Sequence, residues 1–178
     1  MTGSERSTAP SHAHDADFVA WTRQQAAVLR SLSGCIPDLD AENLADEIEA
    51  VGRAELNHAS RVLRRILTRL IMLAALPDGE AVKRWKEDAL AWQGDAVIAC
   101  SAGVREHLDL PVIWRLAANA ATRTITNSHL LKTEPPQTCP ITLHRLLDMN
   151  FDPVACAEAI GVEILKAPNR CPSLPRPP

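Results

Sequence analysis

The feature that most constrains this sequence is a long amphipathic pattern that begins after Asp40 and ends before Pro77. When its residues are placed at 100° intervals around a helix, aliphatic side chains fill one half of the surface and arginines fill the other. The five arginines are Arg53, Arg61, Arg64, Arg65 and Arg69. Acidic residues dominate the first turns, which is the order that the helix dipole favours. The pattern therefore predicts one long helix over about residues 40–76.

Apolar side chains at three- and four-residue spacing predict five further helices. They cover about residues 15–32, 79–108 and 111–131, a short segment after Thr142, and a last segment from Asp152 to Gly161 or Ile164. Prolines and glycines punctuate the connections between these segments. The predicted fold class is therefore all-α, a helical bundle of four main helices plus one or two short C-terminal helices.

The composition supports this fold class and sets the expected domain limits. The 178 residues are 46% hydrophobic but include only four Trp, two Phe and no Tyr, which disfavours a β-sandwich or a β-barrel. No apolar run reaches the ~18 residues that a membrane span needs. We expect one domain over residues 15–166, between a disordered tail at 1–14 and a proline-rich tail at 167–178.

Charge and cysteine content predict a cytoplasmic protein. The net charge of −3 gives no overall field that would attract nucleic acid. The five cysteines are odd in number and lack the two-residue spacing of zinc or redox motifs. The N-terminal residues also lack the apolar core of a signal peptide. These features together favour free thiols in a reducing compartment.

Gly52 interrupts the apolar face of the long predicted helix. It falls at the middle of that face, where glycine costs ~1 kcal/mol of helix propensity relative to alanine. A ring from a neighbouring helix, packed closely against the backbone, would compensate for this cost. Because the four tryptophans fall on the other predicted helices, we expect the ring of Trp21 to lie over Gly52.

Two glutamates lie within or beside the same apolar face. An unpaired buried carboxylate is costly, so Glu49 and Glu55 should each find a base, hydrogen-bond donors or a metal, or reach solvent. Glu55 and His58 form a Glu-x-x-His pair, but carboxylate-bridged di-metal bundles need a second pair and two more glutamates. We therefore expect no metal or other cofactor, and an acid/base or metal-dependent enzyme centred on these three residues is the alternative.

The thiol of Cys139 has two alternative functional interpretations. Cys139, which precedes Pro140, is either a reactive thiol or an inert buried cysteine, and the second role is the usual one. No Gly-x-Ser-x-Gly motif and no phosphate-binding loop is present.

The arginine face of the long helix suggests nucleic-acid binding as a further alternative. This basic face consists of Arg61, Arg64, Arg65 and Arg69. It lacks the interleaved aromatic residues on which bases stack. We expect these arginines to be solvated or to pair with acids of neighbouring helices.

Three segments carry residue identities at a characteristic spacing. The first contains Asp17-Phe18-Val19-Ala20-Trp21, Gln25 and Leu29-Arg30. The second contains Asp38-Leu39-Asp40, Asn43-Leu44-Ala45-Asp46-Glu47-Ile48-Glu49 and Gly52-Arg53. The third contains Pro136-Gln137-Thr138-Cys139-Pro140-Ile141-Thr142-Leu143, Leu146-Leu147-Asp148 and Phe151-Asp152-Pro153. Over about residues 15–153 the chain resembles the bacterial family known as domain of unknown function 29.

This resemblance implies an all-helical fold with no established activity, and it supplies no catalytic residues. It points to Glu47, Glu49, Gly52 and Arg53, where we expect an ion-pair network, within one chain or across a dimer, with Arg53 or Arg30 as the base. The favoured function is a protein-interaction or self-association module. Its partner is an unknown protein or a second copy, nucleic acid is the less favoured partner, and enzymatic activity is left open.

Overall fold

The computed structural model describes residues 14, 16–77, 80–126 and 134–166, and these contain seven helices and no strand. In chain order the helices are α1 (Phe18–Ser31), α2 (Ala41–Ala75), α3 (Val82–Ala99), α4 (Ala102–His107), α5 (Leu110–Thr126), α6 (Leu143–Leu146) and α7 (Pro153–Lys166). The predicted all-α fold class is therefore confirmed. In the described part of the chain, no helix combines the length and the apolar character that crossing a membrane requires.

Three predictions concern residues outside this description. Except for His14, the predicted tails at 1–14 and 167–178 lie outside the described residues. The same holds for residues 127–131, at the end of the fourth main predicted helix.

Helix α2 confirms the amphipathic pattern from which the fold was predicted. It begins after Asp40, whose carboxylate accepts hydrogen bonds from the backbone N–H of Asn43 at 3.3 Å and from its side-chain amide at 2.6 Å. The helix ends before Pro77, which cannot continue it. Its apolar half is buried, and the fully buried side chains include Leu63, Ile66, Leu67, Leu70 and Ile71.

The single helix predicted over 79–108 is wrong, because the chain breaks there into α3 and α4. Ser101 is the N-cap of α4, and its hydroxyl accepts a hydrogen bond from the backbone N–H of Val104 at 3.3 Å. Arg105 Nε donates to the carbonyl oxygen of Cys100 at 2.7 Å. Serine side chains favour caps over helix interiors because they compete for backbone hydrogen bonds. The break at Ser101 was not predicted because the apolar spacing continues across it.

The described residues divide into two compact units. Residues up to Arg61 form the first unit together with 96–108, and the second unit contains residues 62–95 and those from 109 onward. Both α2 and α3 contribute residues to each unit. One domain over residues 15–166 stays a prediction.

In the first unit, α1 approaches α2 closely at Gly52. Thr22 lies opposite this glycine, is buried, and donates its hydroxyl to the carbonyl oxygen of Val19 at 2.8 Å. A Cβ atom at Gly52 would lie 3.1 Å from the Cβ of Thr22 and would collide with the Thr22 hydroxyl. The absence of a side chain at Gly52 therefore allows the two helices to approach.

The prediction that Trp21 lies over Gly52 is wrong. The ring of Trp21 stacks instead on Phe18, with centroids 5.7 Å apart, and meets the ring of His14 edge-on at 4.7 Å. One residue corresponds to about 100° of rotation around a helix, so the side chain that faces α2 is that of the next residue, Thr22. A threonine also allows a closer approach of the helices than an indole ring would.

Asp17 connects the start of α1 to α4 within the first unit. One carboxylate oxygen accepts the backbone N–H of Ala20 at 2.9 Å, and the other lies 3.0 Å from Nε2 of His107. The pKa of Asp17 is lowered chiefly by the hydrogen bond from the backbone N–H of Ala20 and to a smaller extent by the hydrogen bond with His107. Gly103 leaves room for this contact, since a Cβ there would lie 2.6 Å from the Cα of Asp17.

In the second unit, two side-chain hydrogen bonds hold the segment that follows α5. The indole N–H of buried Trp114 donates to the carbonyl oxygen of Pro136 at 2.8 Å. Gln93 Nε2 on α3 donates to the carbonyl oxygen of Asp148 at 2.9 Å. These bonds satisfy backbone carbonyls in a region without long helices and fix its path.

The substitution Gly52→Ala is expected to lower the free energy of unfolding by about 1–3 kcal/mol, because the collision with Thr22 outweighs the gain in helix propensity. Chemical denaturation measures this change. Gly94→Ala is the matched control, since a Cβ at Gly94 meets no atom within 4 Å. It should stabilise α3 by about 0.5–1 kcal/mol. Equal stabilisation by both substitutions would contradict the close approach.

Candidate interaction site

The ion-pair network predicted around Glu49 is present within one chain. Arg30, at the end of α1, donates from Nη1 to Glu49 at 2.8 Å and from Nη2 to Asp46 at 2.7 Å. Its Nε lies 3.8 Å from Glu42, and Arg53 Nη1 lies 3.4 Å from Glu49. Arg53 or Arg30 was expected as the base, and both lie within ion-pair distance of Glu49. The network joins α1 to the first turns of α2.

The network shifts the pKa values of both Glu49 and Arg30. Hydrogen bonds from Arg30 lower the pKa of Glu49 below its ordinary value, and Arg53 acts in the same direction. The same bonds raise the pKa of Arg30. Glu49 therefore stays ionised, and its carboxylate oxygens are engaged by Arg30 and Arg53. This arrangement suits a structural contact better than proton transfer.

The other members of the predicted patch lie outside this network. Glu47 is exposed and takes no part in these ion pairs. Glu55 and His58, the Glu-x-x-His pair, are both exposed, so Glu55 reaches solvent. Among the described residues, no three His, Cys, Asp or Glu side chains are grouped so that they could hold a metal ion.

Two arginines of the basic face contact other side chains within the second unit. The guanidinium of Arg65 lies over the ring of Trp92 at 4.0 Å. Arg69 Nε donates to Asp88 at 3.0 Å and its guanidinium lies 5.3 Å from the same ring. Arg61 and Arg64 are exposed, and Arg65 is also exposed despite its contact with Trp92. We expected these arginines to be solvated or to pair with acids of neighbouring helices, and Arg69 pairs with Asp88 of α3. The contacts with Trp92 were not predicted, because sequence spacing gives no register between helices.

The thiol of Cys139 is in a setting that disfavours reactivity. Its Sγ donates to the carbonyl oxygen of Ile141 at 3.1 Å, and burial raises its pKa. A raised pKa reduces the fraction of thiolate, which is the reactive form. Of the two interpretations of the Cys139-Pro140 pair, the structure favours the inert cysteine.

An apolar groove in the second unit is the candidate site that the sequence analysis missed. Its volume is about 360 Å³, and it lies between the end of α2, the start of α3 and one face of α7. The groove is lined by Leu73, Ala74, Pro77, Val82, Lys86, Val154, Ala157, Glu158, Gly161, Val162 and Leu165. The exposed fraction is 86% for Leu165 and 49% for Val162. We call this surface the α7 groove.

The sequence did contain a signal for the α7 groove. Helix α7 carries few charged residues over its 14 positions, and apolar side chains occur on both its inner and its outer faces. Inner residues such as Cys156 and Ile160 are buried, whereas Val154, Val162 and Leu165 are exposed. A helix that is apolar all round normally has both faces covered, so the outer face is available for a partner.

Comparisons with known proteins agree with the helical architecture. Residues 13–152 match the family model described as Domain of unknown function DUF29. A solved structure from Rhodospirillum rubrum ATCC 11170, titled an alpha-helical protein of unknown function, is 30% identical and superposes with a TM-score of 0.72. The match covers 88% of this chain and 99% of that one. No curated protein matches the chain.

The fold and the site thus define an all-α helical protein with an internally paired charge network and an open apolar groove. The chain belongs to the DUF29 family.

Glu49→Gln is expected to lower the melting temperature at neutral pH, because a neutral amide loses charge-assisted hydrogen bonds from Arg30 and Arg53. Since the pKa of Glu49 is held below its ordinary value of 4.5, this stabilisation is complete above pH 4.5. It is lost as the pH falls through the lowered pKa, so the melting temperatures of variant and wild type should converge in acid. Thermal unfolding across the acidic and neutral range measures both effects.

Glu47→Gln is the control for this experiment, because Glu47 is an exposed carboxylate on the same helix outside the network. It should leave the melting temperature nearly unchanged at every pH. A neutral-pH loss of the same size in both variants would show that general charge on α2, and not the contact with Arg30, sets the stability.

Proposed function

We propose that this protein is a protein-interaction module whose binding surface is the α7 groove. The observation that carries the proposal is the exposure of Leu165 and Val162 on the rim of an apolar groove. Scattered exposed aliphatic residues are common on protein surfaces, but a contiguous patch beside a concave surface is typical of an interaction site. Burial of these side chains by a partner would remove apolar surface from water.

The energetic argument concerns the aliphatic side chains on the groove. Fully burying one such side chain contributes about 1.5–3 kcal/mol. These side chains project from α7, a regular helix that ends beside Leu165, so little backbone ordering accompanies binding. Few polar groups line the groove, which keeps the desolvation cost of binding low.

The alternative functions have weaker support from the geometry. An enzyme centred on Glu49, Glu55 and His58 would need groups that converge, yet Glu49 is engaged by Arg30 and the other two face solvent. A nucleic-acid site on the basic face would share its arginines with contacts inside the protein, since Arg69 is already paired with Asp88.

The proposal includes a cytoplasmic location. Its support is the chemistry of the cysteines, because Cys35, Cys100, Cys139 and Cys156 are all free. Thiols that remain free are typical of a reducing compartment.

A photo-crosslinking amino acid placed at Val162 tests the proposed function in cells that produce the protein. We expect irradiation to join the protein covalently to a protein chain, because Val162 borders the groove. Leu116 on α5 is the matched control position, since it is also aliphatic and is 48% exposed but lies outside the groove. The adduct should be several-fold more abundant from Val162 than from Leu116, and equal yields would overturn the proposal.

A further inference from the structure

The α7 groove carries one positive and one negative side chain beside its apolar lining. Lys86 extends from α3 and Glu158 from α7, and both line the groove. Neither forms an ion pair among the described residues, in contrast to Lys83 with Glu87 and Lys166 with Glu163 nearby in the sequence. A partner that presents an apolar surface together with an acid and a base would therefore complement both the lining and the two charges of the groove.

A second copy of the same surface meets this requirement. In a two-fold symmetric interface each surface contacts its own equivalent, so every contact between two different positions occurs twice. Lys86 of one protomer would then face the partner's Glu158, and the reverse contact would form at the symmetric position. The apolar side chains of the two grooves would cover each other between these contacts.

The side of α7 that lines the groove has a shape that suits such a pairing. Val154, Gly161 and Leu165 are separated by seven and four residues, which places them on one line along the helix. A Cβ at Gly161 would find only the carbonyl oxygen of Ala74, at 4.0 Å, so packing inside the chain does not require glycine there. Glycine in the lining of the groove allows another helix backbone to approach closely.

We propose that the occupant of the α7 groove is a second copy of this chain, bound through a two-fold symmetric contact of α7 with α7. This inference rests on the proposed function, because it names the partner of the same groove. Charge complementarity between Lys86 and the partner's Glu158 sets the register of the dimer, and the aliphatic residues supply the buried surface.

Sedimentation of the purified full-length protein tests the proposal through two charge reversals. The wild type should have twice the 19.4 kDa mass of one chain at about 50 µM, where an interface of micromolar affinity is mostly occupied. Lys86→Glu or Glu158→Lys alone creates two like-charge contacts per dimer. Each variant should therefore raise the dissociation constant about 100-fold, about tenfold for each contact.

Mixing the two variants is the decisive step. A dimer of one Lys86→Glu chain with one Glu158→Lys chain has opposite charges at both contacts, so the mixture should recover the wild-type mass. Recovery also shows that both variants are folded, and a contact within one chain cannot produce it. Lys83→Glu is the control, because Lys83 is an exposed residue on α3 outside the groove and its reversal should leave the mass unchanged.

The possible results separate this inference from the proposed function. A wild type that is monomeric at about 100 µM, or variants whose mixture does not recover the dimer, would overturn the symmetric pairing. If the monomer still crosslinks through Val162 to a different protein, the interaction function stands and the second copy is wrong. A crosslink from Val162 to residues 167–178 of the same chain would assign the groove to that segment and overturn the inference.

Discussion

The burial of one face of α2 is the interaction on which the rest of the structure depends. Side chains such as Leu63, Ile66, Leu67 and Leu70 are fully buried along this 35-residue helix. Each contributes about 1.5–3 kcal/mol through removal from water. Most charged residues of α2 lie outside this apolar half, and some of them contact neighbouring helices. The ion pairs of Glu49 with Arg30 and of Arg69 with Asp88 join α2 to α1 and α3.

Within the described residues the polar groups of the interior are well satisfied, since no buried side-chain nitrogen or oxygen lacks a hydrogen-bond partner. Catalytic and metal sites commonly contain polar groups that are strained or incompletely paired, so their locations can often be found from such exceptions. In this protein the side chains in unfavourable surroundings are apolar ones that are exposed to water. The outer face of α7 leaves Leu165 and Val162 in water, and this imbalance is the basis for assigning a binding role to the groove.

The sequence predicted those features that depend on periodicity and local chemistry. The limits of α2 followed from Asp40 and Pro77. The cost of an unpaired carboxylate indicated that Glu49 needs a partner or solvent, and Arg30 was one of the two bases expected at the patch to which the family resemblance pointed. Features that depend on the register between helices were not predictable in the same way. Trp21 was chosen for Gly52 although the contact is made by Thr22, because a rotation of one residue changes which side chain faces the neighbour. The α7 groove escaped prediction for a related reason, since periodicity identifies an apolar face but does not show whether another element covers it.

The most direct test of the second copy as the occupant of the groove is hydrogen–deuterium exchange of the wild-type protein at two concentrations. Association through the α7 groove predicts that backbone amides of α7 exchange more slowly at about 100 µM than at about 1 µM, because dimerisation suppresses local opening of the contacting helix. Amides of α1, whose contacts with α2 and α4 lie within the first unit, should exchange at the same rate at both concentrations. Exchange in α7 that does not depend on concentration would contradict a dimer formed through this surface.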